Sequence, residues 1–176
     1  FIVGFDNDPE DIFNRQIEFI RESGIPLAMV GLLAALPNTQ LWRRLQTEGR
    51  LLDDSTGNNT DCSLNFVPKM DETRLIEGYK KILRNIYSPR EYYQRALDCL
   101  SRFKQDSLGK HDLNFIADVK ALSRIVFTLG VRESSRYQFW KYMFRVATRY
   151  PRDFAHGMTL AAMGYHFRKI TASYCD

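Results

Sequence analysis

The chain has 176 residues and a net charge of +4, and 44% of its residues are hydrophobic and 13% aromatic. This composition suffices for the core of one domain, or of one domain and part of another, and it excludes a disordered or repetitive chain. No apolar run reaches the roughly 18 residues that a membrane-spanning helix needs, so we predict no such helix.

The cysteines indicate the cellular compartment of the protein, and the charge is unevenly distributed along the chain. Cys62, Cys99 and Cys175 are odd in number and widely spaced, which fits neither a disulfide framework nor a metal knuckle. We therefore predict reduced thiols and a cytoplasmic protein. Residues 1–106 contain 14 Lys and Arg against 16 Asp and Glu, whereas residues 107–176 contain 11 against 5. The basic excess thus belongs to the C-terminal part.

The chain opens with the pattern of a strand, a helix and a second strand. Residues 1–5 are apolar and include β-branched side chains, as a short strand requires. Asp8 suits the N-cap of a helix over residues 9–22, and Gly24 suits its C-terminal stop. Residues 26–33 are continuously apolar, which is typical of a strand covered on both faces in a parallel sheet.

Two parallel strands and one crossover helix cannot enclose a core, because neither strand has a second neighbour and one face has no helix. We infer that the chain begins inside a larger α/β sheet or barrel, and the absence of an initiator Met is consistent with an excised fragment. A dimer formed through an exposed strand edge is a further expectation.

A turn and a polar loop follow the second strand. Thr39 suits the N-cap of a short helix over residues 40–48, which Gly49 ends. Asn38 is notable because, after Gly, Asn best tolerates a positive φ. Residues 53–63 form the longest polar loop, and a loop of that length inside a compact unit is functional or mobile.

A brief extended piece at residues 64–67 ends the sheet portion, and five helices are predicted after it, over residues 72–87, 89–105, 112–129, 135–150 and 152–171. The third has a wide apolar stripe, so we expect it to be the most buried, with Gly130 as its stop. The last carries small residues at three- and four-residue steps that allow close helix packing: Gly157, Ala161 and Gly164. The predicted class is therefore mainly α: an α/β fragment over residues 1–70 and a helical domain over residues 71–176.

Several side chains suggest chemistry, each with a simpler explanation. Asp6 and Asp8 after a strand suit a Mg²⁺ site, but their position before a helix also explains them as caps that complement its dipole. The three histidines are far apart, and only Asp153 and His156 share metal-ligand spacing, so we do not predict a metal site. No serine lies in a nucleophile elbow, so the sequence does not support a hydrolase.

The predicted fourth helix has Tyr137, Trp140, Phe144 and Ala147 on one side and cations on another. A basic stripe continues into the last helix: Lys141, Arg145, Arg149 and Arg152. These cations, with Tyr137, Trp140 and Tyr150 nearby, would suit phosphates of a nucleic acid or a lipid surface. A solvated helix face is the default explanation.

Three segments resemble one family. Phe-Ile-Val-Gly-Phe-Asp-Asn at residues 1–7 is similar to the fifth-strand motif Gly-x-Ile-x-Gly-x-x-Glu, with Asn7 in place of the Glu. Residues 33–42 resemble the sixth-strand exit Leu-Thr-x-x-Pro-Gly-Thr-x-Leu-Tyr, with Asn38 in place of Gly. The third segment resembles the link to a C-terminal helical domain, at residues 57–61, 64–70, 78–79 and 86–89. In this order they resemble the C-terminal part of radical SAM enzymes with an upstream cobalamin-binding domain, the subgroup that includes the hopanoid methylases.

The resemblance implies a parent enzyme with a [4Fe-4S] cluster, S-adenosylmethionine and cobalamin, which methylates or otherwise alkylates a small-molecule or lipid-like substrate. Ile2 and Gly4 would pack against the adenine of S-adenosylmethionine, and Leu33 and Ala34 would contact it through backbone atoms. These 176 residues contain no Cys-x-x-x-Cys-x-x-Cys motif. We therefore expect the isolated chain to bind none of these cofactors, to be catalytically silent, and to have the N-terminal remainder of the same protein as its partner.

The alternative function comes from a different class. The helices from Asp112 onward would form an interaction module that binds a partner protein, an RNA or a membrane surface through its basic residues. Of these partners we least expect a nucleic acid.

Overall fold

The computed structural model describes residues 1–52, 64–102 and 115–175. These residues form two parallel strands and seven α-helices: β1 (Ile2–Val3), α1 (Ile12–Ser23), β2 (Gly31–Leu32), α2 (Gln40–Thr47), α3 (Glu72–Ile86), α4 (Pro89–Arg102), α5 (Phe115–Phe127), α6 (Arg136–Arg149) and α7 (Phe154–Cys175). The predicted mainly α class is confirmed. The polar loop predicted at residues 53–63 and the predicted start of the third C-terminal helix at Asp112 lie outside the described residues.

The chain divides into two compact units. Unit 1 comprises Phe1–Ile20, Ala28–Ile86 and Ile170–Asp176, and unit 2 comprises Arg21–Leu27 and Tyr87–Lys169. The domain boundary predicted between residues 70 and 71 stays a prediction.

In unit 1 the strands pair in parallel, as predicted, with Ile2 opposite Gly31 and Val3 opposite Leu32. Both are shorter than the predicted spans of residues 1–5 and 26–33. The first ends early because Gly4 has a φ of +109° and turns the backbone away from the partner strand. The second begins later than predicted. The first hydrogen bond between the two segments is the one that the Phe1 amino group donates to Met29 O at 2.7 Å, so residues 26–28 lie before the paired region.

Helix α1 begins at Ile12, so the predicted start at residue 9 with Asp8 as its N-cap is wrong. Asp8 instead accepts hydrogen bonds from the backbone of the turn that follows β1. The end of the helix is as predicted, because α1 finishes at Ser23 and Gly24 takes a φ of +67°. A buried stripe of Phe13, Ile17 and Ile20 faces the core.

The turn after β2 and the helix that follows it have the backbone conformations and the N-cap that the sequence predicts. Asn38 has a φ of +66°, Thr39 Oγ1 accepts the Trp42 N–H at 3.2 Å as the N-cap of α2, and Gly49 follows the helix with a φ of +67°. Residues 50–52 and 65–67 then form a short antiparallel ladder, with the Leu52 N–H donating to Asn65 O at 2.9 Å. The predicted extended piece at residues 64–67 supplies one side of this ladder.

We expect Asn38→Val to lower the free energy of unfolding by about 1–2 kcal/mol, because a β-branched residue is strained at positive φ. Asn38→Gly should change it by less than about 0.5 kcal/mol, since relief of backbone strain opposes the larger entropy of the unfolded chain. Asn38 is exposed, so lost packing adds little. Urea denaturation measures both variants, and equal stability of the Val variant would contradict the left-handed backbone at this position.

Small residues allow close packing in both units. In unit 1 a Cβ on Gly78 of α3 would overlap the ring of Phe13 in α1. In unit 2 a Cβ on Gly157 of α7 would overlap Val146 in α6, and one on Gly164 would overlap Tyr92 in α4. The close approach predicted for the last helix is confirmed.

Two predictions for unit 2 are wrong. Gly130 does not stop α5, because the chain passes into a π-helical turn, Thr128–Arg132, that contains it. Helix α5 is also not the most buried helix over its described side chains, since Leu122 and Phe127 are exposed. Aromatic residues of other helices fill this unit instead, such as Tyr93 and Tyr142, whose stacked rings have centroids 4.7 Å apart.

Candidate functional site

The ends of β1 and β2 bring together three of the four residues for which the resemblance implies a cofactor contact. Because the strands are parallel, Gly4 follows β1 at the same end of the sheet at which Leu33 and Ala34 follow β2, whereas Ile2 is the first residue of β1 and pairs with Gly31. Gly4 is buried, Leu33 and Ala34 are half-buried, and Ile2 is exposed. We call this region the strand-exit site. The contact of its residues with S-adenosylmethionine stays a prediction.

Gly4 shapes the β1 side of the strand-exit site. A Cβ at this residue would lie 3.2 Å from Leu75 Cδ2 and 3.5 Å from Leu33 Cβ, so packed side chains already fill the space beside it. Asp8 Oδ2 accepts the N–H groups of Gly4 at 2.7 Å and of Phe5 at 3.0 Å. The Phe5 N–H would otherwise continue the ladder to β2, so the carboxylate ends the strand pairing here.

Asn65 shapes the β2 side, and sequence reasoning did not single it out. Its Oδ1 accepts the Ala35 N–H and its Nδ2 donates to Ala35 O, both at 2.9 Å. This pair fixes the chain at Ala35, three residues after the strand. The signal for it was present, because Asn65 lies in the segment of residues 64–70 that carries the family resemblance.

Between these two anchors, backbone polar groups remain available. The Leu33 N–H donates to Val3 O at 2.8 Å, but Leu33 O and the N–H and C=O of Ala34 have no hydrogen-bond partner among the described residues. Backbone groups without a protein partner seek water or a ligand. The strand-exit site therefore presents one donor and two acceptors, all from the backbone of Leu33 and Ala34.

An ion-pair cluster lies beside the strand-exit site, centred on Asp6. Arg50 Nη2 donates to Asp6 Oδ1 and Arg44 Nη2 donates to Asp6 Oδ2, each at 2.8 Å. The remaining donors of Arg50 bind Glu48 Oε2 and Val67 O, also at 2.8 Å. The hydrogen bond from Arg50 lowers the pKa of Asp6 most, burial opposes it, and the charges of Arg50, Lys69 and Arg44 lower it further.

This geometry corrects the explanations given for Asp6 and Asp8. Neither caps α1: Asp6 binds arginines, and Asp8 binds the turn after β1. A Mg²⁺ ion at Asp6 would have to displace or oppose two guanidinium groups, which the Coulomb repulsion disfavours. In residues 1–52, 64–102 and 115–175, no three His, Cys, Asp or Glu side chains lie together as a metal site.

The residues of this chain do not fit an iron–sulfur cluster. Such clusters need several cysteine thiolates, and the sequence has no Cys-x-x-x-Cys-x-x-Cys motif. Cys99 is half-buried, and burial raises the pKa of its thiol, which favours the protonated form that does not bind metals.

The predicted basic stripe lies in unit 2. Helix α6 places Lys141, Arg145 and Arg149 beside Tyr137 and Trp140, around a common surface depression. The side predicted from Tyr137, Trp140, Phe144 and Ala147 faces solvent, whereas a different stripe packs into the core: Phe139, Tyr142, Met143 and Val146. Within the described part of the chain, no helix combines the length and the hydropathy needed to cross a membrane.

Comparison with known proteins places the chain in a family. A family model described as a domain of unknown function, DUF4070, matches residues 39–176. An uncharacterized methyltransferase of Synechocystis is 33% identical over 169 residues, which cover 95% of this chain and 32% of the relative. The hopanoid C-2 methylase of Rhodopseudomonas palustris is 31% identical over 150 residues, which cover 82% of this chain and 28% of the relative.

The chain thus spans about a third of the length of these curated relatives. No solved structure matches it. The resemblance to hopanoid methylase-like proteins that the motifs predict is confirmed, and the chain belongs to the DUF4070 family.

Proposed function

We propose that this chain is the C-terminal part of a cobalamin-dependent radical SAM protein that methylates a small-molecule or lipid-like substrate. Unit 1 supplies the last strands of a partial (β/α) barrel, and the strand-exit site contacts the adenine of S-adenosylmethionine. The two relatives support the methylating class, because one is named a methyltransferase and the other a methylase. The partner of unit 1 is then the N-terminal remainder of the same protein.

The observation that carries this proposal is the set of backbone groups at the end of β2 that have no hydrogen-bond partner among the described residues. The edge of adenine presents an amino donor and ring-nitrogen acceptors. Leu33 O would accept from the amino group, and the Ala34 N–H would donate to a ring nitrogen. The exposed side chain of Ile2 offers an apolar surface to the base.

The other groups of the reaction come from outside these residues. When bound, the cluster supplies an electron to S-adenosylmethionine and the cobalamin supplies a methyl group. The role of this chain is to position S-adenosylmethionine. Asp8 holds the segment after β1 and Asn65 holds the segment after β2, so that the backbone groups of Leu33 and Ala34 keep their orientation toward the ligand.

The test compares the longer gene product with the chain of residues 1–176 after each is reconstituted with iron, sulfide, S-adenosylmethionine and a reductant. We expect 5′-deoxyadenosine from the longer protein and none from the short chain, because the short chain lacks the cluster motif. If the short chain formed a cluster and cleaved S-adenosylmethionine, this would contradict the proposal that the cluster is bound outside residues 1–176.

A matched pair of variants tests the strand-exit site in the longer protein. Ala34→Pro removes the backbone N–H and should raise the KM for S-adenosylmethionine by about two- to tenfold, the range expected for one lost hydrogen bond. Ala34→Ser keeps the N–H and should leave the KM near the wild-type value. Equal KM values for the two variants would exclude a hydrogen bond from this group.

A further inference from the structure

Helix α6 presents three aromatic side chains to solvent. Tyr137 is 73% exposed, Phe144 71% and Trp140 49%. Their spacing of three and four residues aligns them in one stripe, on the opposite side of α6 from the buried stripe centred on Val146. Scattered exposed apolar residues need no explanation, but contiguous aromatic ones indicate a surface that binds something.

Packing holds Trp140 of this aromatic stripe in place. The Trp140 Nε1 donates to Gly130 O at 2.9 Å, and a Cβ on Gly130 would lie 2.9 Å from Trp140 Cζ2. The indole N–H is thus satisfied inside the protein, while the exposed half of the ring is apolar. Phe127, the last residue of α5, and Val131, next to Gly130 in the π-helical turn, are also exposed. Trp140 therefore offers a rigid apolar contact that loses little entropy on binding.

The charges on helix α6 itself have one sign. Helix α6 carries Arg136, Lys141, Arg145 and Arg149 and no acidic residue. Within the described ranges, none of these four cations forms an ion pair with a carboxylate. Since unpaired cations lie beside an apolar surface, the partner that fits is both anionic and apolar.

Two depressions meet along this helix and share Tyr137, Lys141 and Arg145. A shallow one of about 500 Å³ contains Trp140 and Phe144. A deeper cleft of about 540 Å³ extends to Arg21 and Arg90, and its lining also includes Glu91 and Asp98. Arg21 is paired with Glu91 at 2.8 Å. Lys141 and Arg145 therefore lie between an apolar surface and a polar cleft large enough for a phosphate headgroup.

We propose that this face of α6 docks on the surface of a bilayer that contains anionic lipids. Tyr137, Trp140 and Phe144 enter the boundary between headgroups and acyl chains, and Lys141 and Arg145 bind lipid phosphates. Base stacking on RNA would use the aromatic rings and the cations, but it would leave the exposed aliphatic surface of Val131 without a partner. The proposal does not depend on the methylation chemistry.

The direct test uses the chain of residues 1–176 and vesicles. We expect it to sediment with vesicles of phosphatidylcholine mixed with phosphatidylglycerol, not with phosphatidylcholine alone, and binding should weaken as salt is added. In a Trp42→Phe background Trp140 is the sole tryptophan, and its emission should shift to the blue on binding. This replacement loses no hydrogen bond, since the Trp42 Nε1 has no partner among the described residues.

Charge and aromatic variants separate this surface from a general effect of net charge. Lys141→Glu with Arg145→Glu should weaken vesicle binding by at least about 30-fold, the effect of losing two cations, because the new carboxylates also repel anionic lipids. Tyr137→Ser with Phe144→Ser should weaken binding and should also reduce the blue shift of Trp140. The control is Arg15→Glu with Arg43→Glu, which makes the same charge change at exposed positions of unit 1 and should bind nearly as the wild type does.

All variants should keep the wild-type far-UV circular dichroism, because the replaced side chains are exposed or half-buried. Equal weakening by the control, absence of vesicle binding, or binding to single-stranded RNA in place of vesicles would each overturn the proposal.

Discussion

Replacing Gly164 by Ala should lower the free energy of unfolding by about 1–3 kcal/mol, although the same change in an exposed helix raises it by about 1 kcal/mol. The sign reverses because the new Cβ would overlap the ring of Tyr92. That ring cannot move freely: Tyr92 is buried, and its OH donates to Leu160 O at 2.7 Å. Relief of the overlap therefore breaks this partly buried hydrogen bond or separates α4 from α7. Urea denaturation monitored by circular dichroism measures the change.

A double-mutant cycle with Tyr92→Leu identifies the cause. In the Tyr92→Leu background the ring is gone, so Gly164→Ala should be neutral or stabilising. The coupling between the two changes should then be about as large as the penalty of Gly164→Ala alone. An equal penalty in both backgrounds would show that the close packing against Tyr92 is not responsible.

The features that the sequence predicts well are governed by neighbouring residues. The positive φ of Asn38 and the cap at Thr39 depend on the few residues around them, and both are as expected. Gly157 and Gly164 were also recognised, because the spacing of small residues on one helix needs no knowledge of the partner helix. The family resemblance was likewise carried by short motifs.

The features that the sequence predicts poorly depend on distant partners. Asp6 and Asp8 fit the local pattern of helix caps, but Asp6 binds Arg50, 44 residues away, and no local pattern reveals that pair. Helix α6 shows a second kind of ambiguity, since it carries two apolar stripes, and only the tertiary packing decides that Val146 is buried and Phe144 is exposed. The aromatic side that faces solvent is the one that suggests docking.

Asp6→Asn should be a damaging change near the strand-exit site, lowering the free energy of unfolding by about 2–3 kcal/mol. The side chain of Asp6 is 9% exposed and that of Arg50 is 16% exposed, so the substitution leaves a largely buried guanidinium with only Glu48 to balance it. The loop after β1 would also lose its connection to the antiparallel ladder at residues 50–52. Under the proposed function, the KM of the longer protein for S-adenosylmethionine should rise as well.

The pH dependence distinguishes loss of the ion pair from a general packing defect. The pKa of Asp6 is lower in the folded chain than its ordinary value near 4, because Arg50 donates to the ionised carboxylate. The pair therefore stabilises the fold fully above that value, and its contribution is lost as the pH falls through the lowered pKa. The stability gap between wild type and Asp6→Asn should be constant near neutrality and should narrow below about pH 4.

Asp11→Asn, which removes an exposed pair with Arg15, is the matched control and should have a much smaller effect. A gap for Asp6→Asn that stays the same from neutral to acidic pH would show that the charge of Asp6 does not stabilise this loop.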